Sequence, residues 1–458
     1  MVDPLPHLAA ALAARPAAGV VGWRAGIAVS NADFLARAGA WHALLRAAPG
    51  SHFALYLDDS IEFGAALLGA WHAGKTIWLG ADTLDATCVA LHASVDGFLG
   101  QYPAAYAPQY PAADDAAVTG LPPAALHPDL AALVVFTSGS TGAPQAIPKK
   151  LSQMASEVAT LDVLFGAMAG NAAVLATVSH QHIYGLLFKV LWPLAAGRPL
   201  HAGRLVFHEE LACALAAAPC VLVSSPAHLT RLPEHLDWRG AAHSVRAVFS
   251  SGGPLAADAA LAAGALWGTV PVEVYGSSET GGVAWRRRAH RGDDGWQPFP
   301  TVHWRLGADG ALEVRSPHLP DDDWLALADR AAPSGDRNFV LLGRADRIVK
   351  LEEKRISLTA VEERLRASGL ARAARVMLVD AVAGQRQRLA AFVVPSAAGH
   401  AVLAAGGKLA LDRRLRAALA PALDPVALPR RWRYVDRMPV DAQGKTTHAA
   451  LQALLERD

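Results

Sequence analysis

The sequence predicts an α/β protein in which a large N-terminal domain of mixed, mainly parallel sheets flanked by helices precedes a small α+β C-terminal domain. Its 458 residues exceed what one typical core accommodates. Up to about residue 300, short apolar β-type runs alternate with helical patterns, an order that favours parallel sheets covered by helices. Beyond residue 304 the chain changes to a hairpin and to shorter, more charged elements.

The strands of the N-terminal domain are predicted from apolar runs in chain order. The first two lie at 53–59 and 76–82, and residues 100–128, rich in Pro, Tyr and Ala, form a linking loop. Each of the later strand candidates lies next to a helical pattern: 130–136, 172–178, 220–223, 247–249 and 270–274. This alternation places the loops that follow the strands at a common edge of each sheet.

The C-terminal part begins with a predicted hairpin whose turn is 308–310. A domain boundary is expected near 344–346, which gives an N-terminal domain of residues 1–344 and a C-terminal domain of residues 345–458. Predicted elements beyond the boundary are helices at 359–368 and 408–419 and strands at 375–379 and 390–394.

Composition favours small-molecule partners. Charged residues make up 18% of the chain and hydrophobic residues 52%, which is typical of a globular protein. The formal net charge is +1, from 42 basic and 41 acidic residues, so the protein as a whole has no field that would attract nucleic acid or an anionic membrane. Partners are therefore expected to be small molecules or proteins that bind at a local surface.

A cytoplasmic location is predicted from the cysteines and from the apolar segments. Cys88, Cys213 and Cys220 have neither metal-ligand nor disulfide-framework spacing, which suits a reducing compartment. The N-terminus has no basic region of a signal peptide. The longest uncharged stretch, 166–188, is interrupted by polar residues that a membrane span would bury without partners.

Three loops rich in small residues follow predicted strands. The segment 137–144, TSGSTGAP, has two glycines that allow a tight turn with converging N–H groups, and four hydroxyl side chains, a combination suited to polyphosphate. The segment 275–282, YGSSETGG, places the carboxylate of Glu279 among hydroxyl residues, as a Mg²⁺–phosphate site requires. The segment 250–254, SSGGP, is the third. Each alone is equally compatible with an ordinary surface loop.

Together the three loops resemble those of the adenylate-forming superfamily, which includes acyl-CoA synthetases, nonribosomal-peptide adenylation domains and luciferases. Further matching segments occur in the same order through residues 20–455: 55–75, 127–136, 182–186, 324–331, 343–365 and 443–445. The resemblance implies an enzyme that activates a carboxylic acid as acyl-AMP, with ATP as substrate and Mg²⁺ as cofactor, and that carries a small mobile C-terminal domain.

The resemblance also assigns roles around ATP. Binding of the β- and γ-phosphates is assigned to the first loop: Thr137, Ser138, Gly139, Ser140, Thr141 and Gly142. Adenine is expected beside Gly252, Gly253 and Tyr275, and Gly276 is expected among the ATP-binding residues. Ser278 is expected at the α-phosphate and Glu279 at Mg²⁺, while Asp329, assisted by Arg344, accepts the ribose hydroxyls.

The catalytic lysine and the domain hinge are implied in the same way. Lys445 is expected to neutralise charge between the carboxylate and the α-phosphate. Asp346 is expected to be the hinge about which the C-terminal domain turns between two half-reactions. A salt bridge with Arg347 is an equally supported alternative for Asp346.

The acyl pocket is expected at residues 182–192. His182 matches the His-containing segment of the family, and Tyr184, Phe188 and Trp192 recur at helical spacing, which suits either the floor of an aromatic pocket or plain core. Lys189, a lone charge in this stretch, is predicted to extend its ammonium outward to water, with contact to a polar group of the substrate as the alternative.

Departures from the family pattern bear on the chemistry. Gln145 replaces a common lysine, for which Lys149 or Lys150 is a potential substitute. Ala328 replaces a glycine before Asp329, and His448 stands where arginine is common. Glu353 stands where many relatives that use CoA have a glycine that lets pantetheine pass, so the acceptor is less constrained than the adenylation step.

The segments PQAIPKK and VKLEEKRISL resemble the ligases of aryl-polyene and xanthomonadin-type pigment clusters. That likeness implies a small aromatic acid such as a hydroxybenzoate, transferred to the pantetheine thiol of CoA or of an acyl carrier protein. Alternatives are a fatty acyl-CoA synthetase, an adenylate-former with a non-thiol acceptor, and a nucleotide-binding protein without turnover. Retention of Glu279, Asp329 and Lys445 argues against the last.

Overall fold

The chain forms two compact units. The computed structural model describes residues 5–112, 120–122, 124–138, 144–344, 347–351, 354–379, 388–420, 428–440 and 446–456. The first unit comprises Met1–Trp304, Val314–Leu325 and Ser334–Asn338, and the second comprises Arg305–Glu313, Ala326–Pro333 and Phe339–Asp458. The functional boundary expected between residues 344 and 345 stays a prediction.

In the first half of the first unit, the described residues form alternating helices and strands. In chain order they are α1 (Leu8–Ala13), β1 (Val20–Arg24), β2 (Ile27–Ser30), α2 (Asn31–Ala47), β3 (His52–Tyr56), α3 (Ser60–His72), β4 (Thr76–Leu79), α4 (Asp85–His92), β5 (Gly97–Gly100), β6 (Ala131–Ser138) and β7 (Pro144–Lys150). In the predicted linking loop, the described residues include a short 3₁₀ turn at Ala104–Tyr106.

The second half of this unit continues the alternation of helices and strands. In chain order the elements are α5 (Leu151–Ala169), β8 (Ala173–Ala176), α6 (Ile183–Gly185), a π-helical turn (Leu186–Leu191), α7 (Trp192–Ala196), β9 (Leu200–His201), α8 (His208–Ala217), β10 (Cys220–Ser224), α9 (Pro226–Leu229), α10 (Ala241–Ser244), β11 (Val245–Ser250), α11 (Ala257–Trp267), β12 (Val272–Ser277), β13 (Gly281–Arg287) and β14 (Gln297–Pro298).

These strands build two sheets. One has nine strands in the order β14-β13-β12-β11-β10-β8-β9-β1-β2, and the other has five in the order β5-β3-β4-β6-β7. The pairs β8–β10, β10–β11 and β11–β12 are parallel, as are β3–β4 and β4–β6, while β12–β13 and β6–β7 are antiparallel. The predicted α/β class with mainly parallel sheets is confirmed.

Helix α3 shows why the sheets stay together. Its N-terminus is capped by Asp59, whose carboxylate accepts hydrogen bonds from the backbone N–H groups of Ile61 and Glu62 at 2.8 and 2.9 Å. Nearly every residue of the helix is buried, because it contacts α2, the π-helical turn, β4 of one sheet and β1 and β9 of the other. Such a helix is apolar on all sides, which matches its sequence.

A further sheet and the remaining elements follow in chain order. A four-stranded sheet has the order β15 (His303–Leu306), β16 (Ala311–Arg315), β17 (Leu325–Ser334) and β18 (Asn338–Arg344). The predicted hairpin turn at 308–310 lies between β15 and β16. Later elements are β19 (Ile348–Leu351), β20 (Lys354–Ser357), α12 (Leu358–Ala367), β21 (Ala371–Val379), β22 (Arg388–Pro395), α13 (Ala397–Leu419), β23 (Arg431–Tyr434) and α14 (His448–Glu456).

The longest helix of the second unit is bent, because Gly407 within α13 has a φ of 68°, a left-handed conformation that glycine adopts readily. In the described part of the chain, no helix combines the length and the apolar composition that crossing a bilayer requires.

Two histidines packed between α2 and α3 are expected to make the first unit acid-sensitive. Burial, and secondarily the nearby His42, lower the pKa of His72 from 6.5 to about 4. Burial and Arg46 lower the pKa of His42 as well. Below pH 6.5 His72 takes up a proton in the unfolded chain but stays neutral in the folded protein. The free energy of unfolding therefore falls as the pH drops towards 4. The loss at pH 5 is about 1–2 kcal/mol for this ring.

We therefore expect His72→Leu to reduce the fall in melting temperature between pH 7.5 and pH 5 by about 2–5 °C. Thermal unfolding of both proteins at the two pH values measures this difference. His235→Leu, at an exposed histidine, is the matched control and should leave the fall unchanged. An identical pH dependence in the His72→Leu variant and the wild type would contradict the prediction.

Candidate functional site

The first unit brings several loops to one edge of the nine-stranded sheet. Strands β8, β10, β11 and β12 run parallel, so their carboxyl ends lie at the same edge. The loops that leave this edge carry His182 after β8, Gly252 and Gly253 after β11, and Glu279 after β12. The carboxyl edge of parallel strands is where open α/β sheets bind ligands. The fold thus gathers residues that are separated by about a hundred positions in sequence.

The turn that carries Glu279 is tightly built. It joins β12 to the antiparallel β13, with Gly276 opposite Gly282 and Ser277 opposite Gly281. A Cβ on Gly276 would lie 2.2 Å from the carbonyl oxygen of Gly281, so only glycine fits there. The backbone N–H of Ser277 donates to Oγ1 of Thr280 at 2.9 Å.

Within this turn the predicted phosphate and metal residues differ in exposure. Ser278 is half-buried, whereas the side chain of Glu279 is exposed and accessible to a cation. Among the described residues, no group of three or more His, Cys, Asp or Glu side chains is arranged to hold a metal ion. Mg²⁺ suits such a site, because it takes one or two carboxylates and completes its shell with water and substrate phosphates.

The loop after β11 supplies the glycines predicted beside adenine. Gly252 has a φ of +87° and open space where a Cβ would stand, so its requirement for glycine is conformational. The hydroxyl of Ser251 donates to the carbonyl of Val274 at 2.8 Å, which attaches this loop to β12. Sequence analysis missed Ser251, although it lies within the SSGGP segment that was recognised.

Tyr275 is contacted by Trp296, which in turn carries Arg286 over its ring; the sequence pattern did not indicate either residue. Its ring centroid lies 5.6 Å from that of Trp296, and the guanidinium of Arg286 lies 4.1 Å from the Trp296 centroid. Arg286 in turn forms an ion pair with the buried Glu273 at 2.6 Å. No periodic pattern marks Trp296, which is distant in sequence from the strand that it supports.

The predicted phosphate loop connects β6 and β7, which form an antiparallel hairpin with Thr137 opposite Gln145 and Ser138 opposite Pro144. Strand β6 runs parallel to β4, as expected for a strand that precedes a ligand-binding loop. The loop residues predicted to bind phosphate at Gly139, Ser140, Thr141 and Gly142 lie outside the described residues.

The two lysines considered as substitutes for Gln145 are both engaged elsewhere. Lys149 is 2% exposed, and its ammonium donates to the carbonyls of Glu279 at 2.9 Å and His318 at 3.3 Å. Burial lowers its pKa, and the charges of Glu157 and Glu279 act in the opposite direction. Lys150 is exposed and forms an ion pair with Asp129 at 3.0 Å.

The predicted acyl-pocket residues form part of an aromatic cluster. Tyr184 and Phe188 have ring centroids 4.9 Å apart, and Phe188 lies 5.0 Å from Phe249, the residue of β11 just before Ser250. Phe188 and Trp192 are buried, whereas His182 and Tyr184 are half-buried. The row of rings Tyr184, Phe188 and Trp192 therefore runs from half-buried to buried positions. Phe249, which contacts Phe188, lies in the strand that leads to the glycine loop.

The segment that holds this row of rings approaches its neighbours very closely. A Cβ on Gly185 would lie 2.0 Å from the carbonyl oxygen of Ser179, so glycine is required between His182 and the π-helical turn. Burial raises the pKa of Tyr184 well above its ordinary value, so its hydroxyl stays protonated.

The prediction that Lys189 reaches water is wrong. Its side chain is fully buried, and its ammonium donates to the carbonyl of Gly203 at 3.2 Å. Burial, with a contribution from Arg204, lowers its pKa to about 7, while Asp59 and Asp58 oppose the shift. A lone charge in an apolar run predicts extension to water only for a surface helix, and this segment packs against α3, α5 and β8 instead.

The second unit places the predicted ribose residues together. Asp329 on β17 and Arg344 at the end of β18 lie 3.7 Å apart between Oδ2 and Nη1, with the carboxylate 15% and the guanidinium 48% exposed. Arg347, the alternative partner considered for Asp346, pairs with the buried Glu362. Asp346, Glu353 and Lys445 lie outside the described residues.

Comparisons with known proteins give a family match and enzyme relatives. The family model described as AMP-binding enzyme matches residues 81–309. The 4-coumarate–CoA ligase of Rhodobacter capsulatus is 31% identical over 329 residues, which cover 70% of this chain and 76% of that protein. The p-hydroxybenzoic acid–AMP ligase FadD22 of Mycobacterium marinum is 26% identical over 360 residues, 71% of this chain and 49% of that protein.

The fold is also found among solved structures. The ATP-bound crystal structure of MatB from Rhodopseudomonas palustris superposes with a TM-score of 0.80 at 20% identity, and the match covers 99% of each chain.

Proposed function

The chain belongs to the AMP-binding enzyme family, and from this premise we propose that it converts a small aromatic carboxylic acid to its acyl-AMP and then transfers the acyl group to a pantetheine thiol. As a member of this family it is an acid–thiol ligase that works through an acyl-adenylate. The aromatic substrate, the residue roles, the acceptor and the cytoplasmic location belong to the proposal.

One observation carries the adenylation chemistry. The exposed carboxylate of Glu279, the glycine loop at Gly252 and the His182 segment leave the same edge of one sheet. ATP bound there has its adenine beside Tyr275 and its phosphates near Ser278 and Glu279. Glu279 would hold Mg²⁺, which supplies positive charge to the phosphate oxygens.

The reaction then depends on positioning and charge. The acid carboxylate attacks the α-phosphorus, the bond from that phosphorus to the bridging oxygen breaks, and pyrophosphate leaves. Lys445 neutralises the negative charge that gathers between the two reacting groups. Asp329 orients the nucleotide by accepting from the ribose hydroxyls.

The aromatic cluster favours a planar substrate. Tyr184 presents its ring at the sheet edge, and Phe188 and Phe249 stand directly behind it. Aromatic rings packed against one another offer flat apolar faces, which suit an aromatic substrate ring better than a long alkyl chain. Two relatives whose names specify 4-coumarate and p-hydroxybenzoic acid support the same substrate class.

In this proposal the thiol step follows a rotation of the C-terminal domain about Asp346, which would replace Lys445 by the strands of residues 350–357 at the acyl-adenylate. CoA and the phosphopantetheine of an acyl carrier protein are the two candidate acceptors. Glu353 leaves a non-thiol acceptor as the alternative, because its carboxylate stands where many relatives that use CoA have a glycine.

Acid-dependent exchange between ATP and pyrophosphate, without thiol, tests the proposal. We expect 4-hydroxybenzoate, benzoate or 4-coumarate to support exchange at least about tenfold above octanoate and palmitate, because pocket contacts separate substrates by this order. Equal or greater exchange with the fatty acids would replace the aromatic substrate with an aliphatic one. Absence of exchange with every acid, in a protein that binds MgATP, would contradict catalysis.

A second assay addresses the acceptor. With the best acid, product is measured after addition of CoA or of a phosphopantetheinylated carrier protein. Thioester formation with either supports the thiol step, whereas acyl-AMP that accumulates with both, or that reacts with an amine, favours the non-thiol alternative.

A further inference from the structure

Lys149 binds the backbone of the proposed metal residue. It is the penultimate residue of β7, and its ammonium crosses from the five-stranded sheet to the carbonyl of Glu279 at 2.9 Å. A second bond, at 3.3 Å, goes to the carbonyl of His318. Because Lys149 is only 2% exposed, its ammonium is not hydrated by bulk water. The two carbonyls therefore determine where the ammonium lies.

Glu157 holds the backbone just after the same turn. This buried residue of α5 accepts a hydrogen bond from the backbone N–H of Gly282 at 2.8 Å. A Cβ on Gly281 would lie 2.6 Å from a carboxylate oxygen of Glu157, so glycine lets the carboxylate approach the chain. The turn that displays Glu279 is thus held by a lysine at Glu279 itself and by a glutamate at Gly282, just after the turn.

Two further buried side chains complete the support. The amide of Gln153 donates to the carbonyl of His318 at 2.9 Å. The imidazole of His318 donates from Nδ1 to the carbonyl of Gly282 at 3.0 Å. We refer to these four side chains, all at most 3% exposed, as the Lys149 cluster: Lys149, Gln153, Glu157 and His318.

The cluster links two parts of the proposed ATP site. Strand β7 leaves the predicted phosphate loop, and the turn 278–280 follows β12 in the other sheet. Within the turn, the bonds between Ser277 and Thr280 fix its local shape but not its position relative to β7. The bond from Lys149 to Glu279 sets that position directly.

We propose that Lys149 is a positioning residue for nucleotide activation, which holds the Glu279 turn at a set distance from the phosphate loop so that both engage one Mg²⁺–polyphosphate. The proposal rests on the proposed role of Glu279 as the protein ligand of Mg²⁺. In this proposal Lys149 acts through the Glu279 turn, because its buried ammonium donates to the two carbonyls.

Removing the ammonium should weaken the site through Glu279 alone. In Lys149→Met the side chain keeps its length and loses its charge, so the turn shifts while the strand stays paired. Displacement of a catalytic group by a fraction of an ångström to 1 Å costs about 10- to 100-fold in rate. We expect about a tenfold weaker affinity for MgATP, little change in affinity for ATP in EDTA, and an unchanged KM for the acid.

The decisive test is a double-mutant cycle by calorimetry with MgATP and with ATP in EDTA, and by acid-dependent pyrophosphate exchange. The proteins are wild type, Lys149→Met, Glu279→Gln and the double variant. Lys150→Met, at the next residue of the strand, is the matched control, because its ammonium pairs with Asp129 at the surface. If Lys149 acts through Glu279, the Lys149→Met substitution lowers the affinity for MgATP about tenfold when Glu279 is intact. In the Glu279→Gln background the same substitution lowers that affinity less than about twofold.

Three outcomes overturn the inference while leaving the proposed function intact. Lys149→Met binds MgATP as tightly as Lys150→Met does, or it lowers MgATP affinity by the same factor with Glu279 intact and in the Glu279→Gln background. The third outcome is that it lowers the affinity for ATP in EDTA as much as the affinity for MgATP. Failure of the proposed function looks different, because then wild type shows no exchange and Glu279→Gln binds MgATP as wild type does. Should Lys149→Met not fold, Lys149→Gln replaces it, since this shorter, neutral side chain also removes the ammonium from the carbonyl of Glu279 and leaves a polar group in the buried space. A fivefold or greater selective loss with MgATP supports the inference, and equal affinity overturns it.

Discussion

Lys445→Ala is expected to lower acid-dependent ATP–pyrophosphate exchange by about 100- to 1000-fold. Loss of one preorganised charge at a transition state costs roughly 3–4 kcal/mol, and each 1.36 kcal/mol corresponds to about a factor of ten in rate. MgATP affinity should change by less than about threefold, because the lysine acts on charge that develops only as the carboxylate attacks phosphorus. Initial rates of exchange and calorimetric MgATP binding measure the two quantities.

The matched control for this variant is Lys408→Ala, which removes an exposed lysine of α13. It should retain wild-type exchange. Exchange by Lys445→Ala within threefold of wild type would show that the positive charge at the α-phosphate comes from another residue. A loss of MgATP affinity as large as the loss of rate would show that Lys445 acts on the ground state.

Glu279→Gln is the second large effect, with an expected loss of about 100-fold in exchange at a fixed, low millimolar concentration of Mg²⁺. Its carboxylate is exposed at the end of β12, where a neutral amide of the same shape binds a divalent cation much more weakly. The activity should recover in part as Mg²⁺ is raised, because mass action compensates for a weaker ligand. A Mg²⁺ titration of the exchange rate measures both features.

Glu210→Gln, at an exposed position of α8, is the control for removal of one surface carboxylate. It should reproduce the wild-type Mg²⁺ titration. A Glu279→Gln enzyme with the wild-type Mg²⁺ dependence and rate would exclude this carboxylate as the metal ligand and would also remove the basis for the role proposed for Lys149.

Much of the fold was predictable because its signals are local. Apolar runs at 76–82, 220–223 and 247–249 predicted strands that the structure places at Thr76–Leu79, Cys220–Ser224 and Val245–Ser250. Loops that bind phosphate and metal need small residues and specific oxygen donors, so they are visible as short segments. Gly276 is such a case, since the sequence marks the residue and the 2.2 Å approach of the Gly281 carbonyl explains it.

The buried lysines were not predictable in the same way. Lys149 is the penultimate residue of a strand and stands beside another lysine, and Lys189 lies in an apolar run, yet both are at most 2% exposed. Whether a long cationic side chain reaches water depends on which helices and strands pack over it. The residues next to it in the sequence do not indicate those elements. The carbonyls that bind them belong to Glu279 and His318 in one case and to Gly203 in the other.

The α/β class, the order of the loops and the membership of the family could be read from the amino-acid sequence, because each depends on residues adjacent in the chain. The side chains that support this chemistry became visible in the folded protein. Trp296 behind Tyr275 and Lys149 beneath Glu279 are brought together by sheet pairing across distances of 21 and 130 positions. Such contacts follow from packing, which a local pattern does not encode.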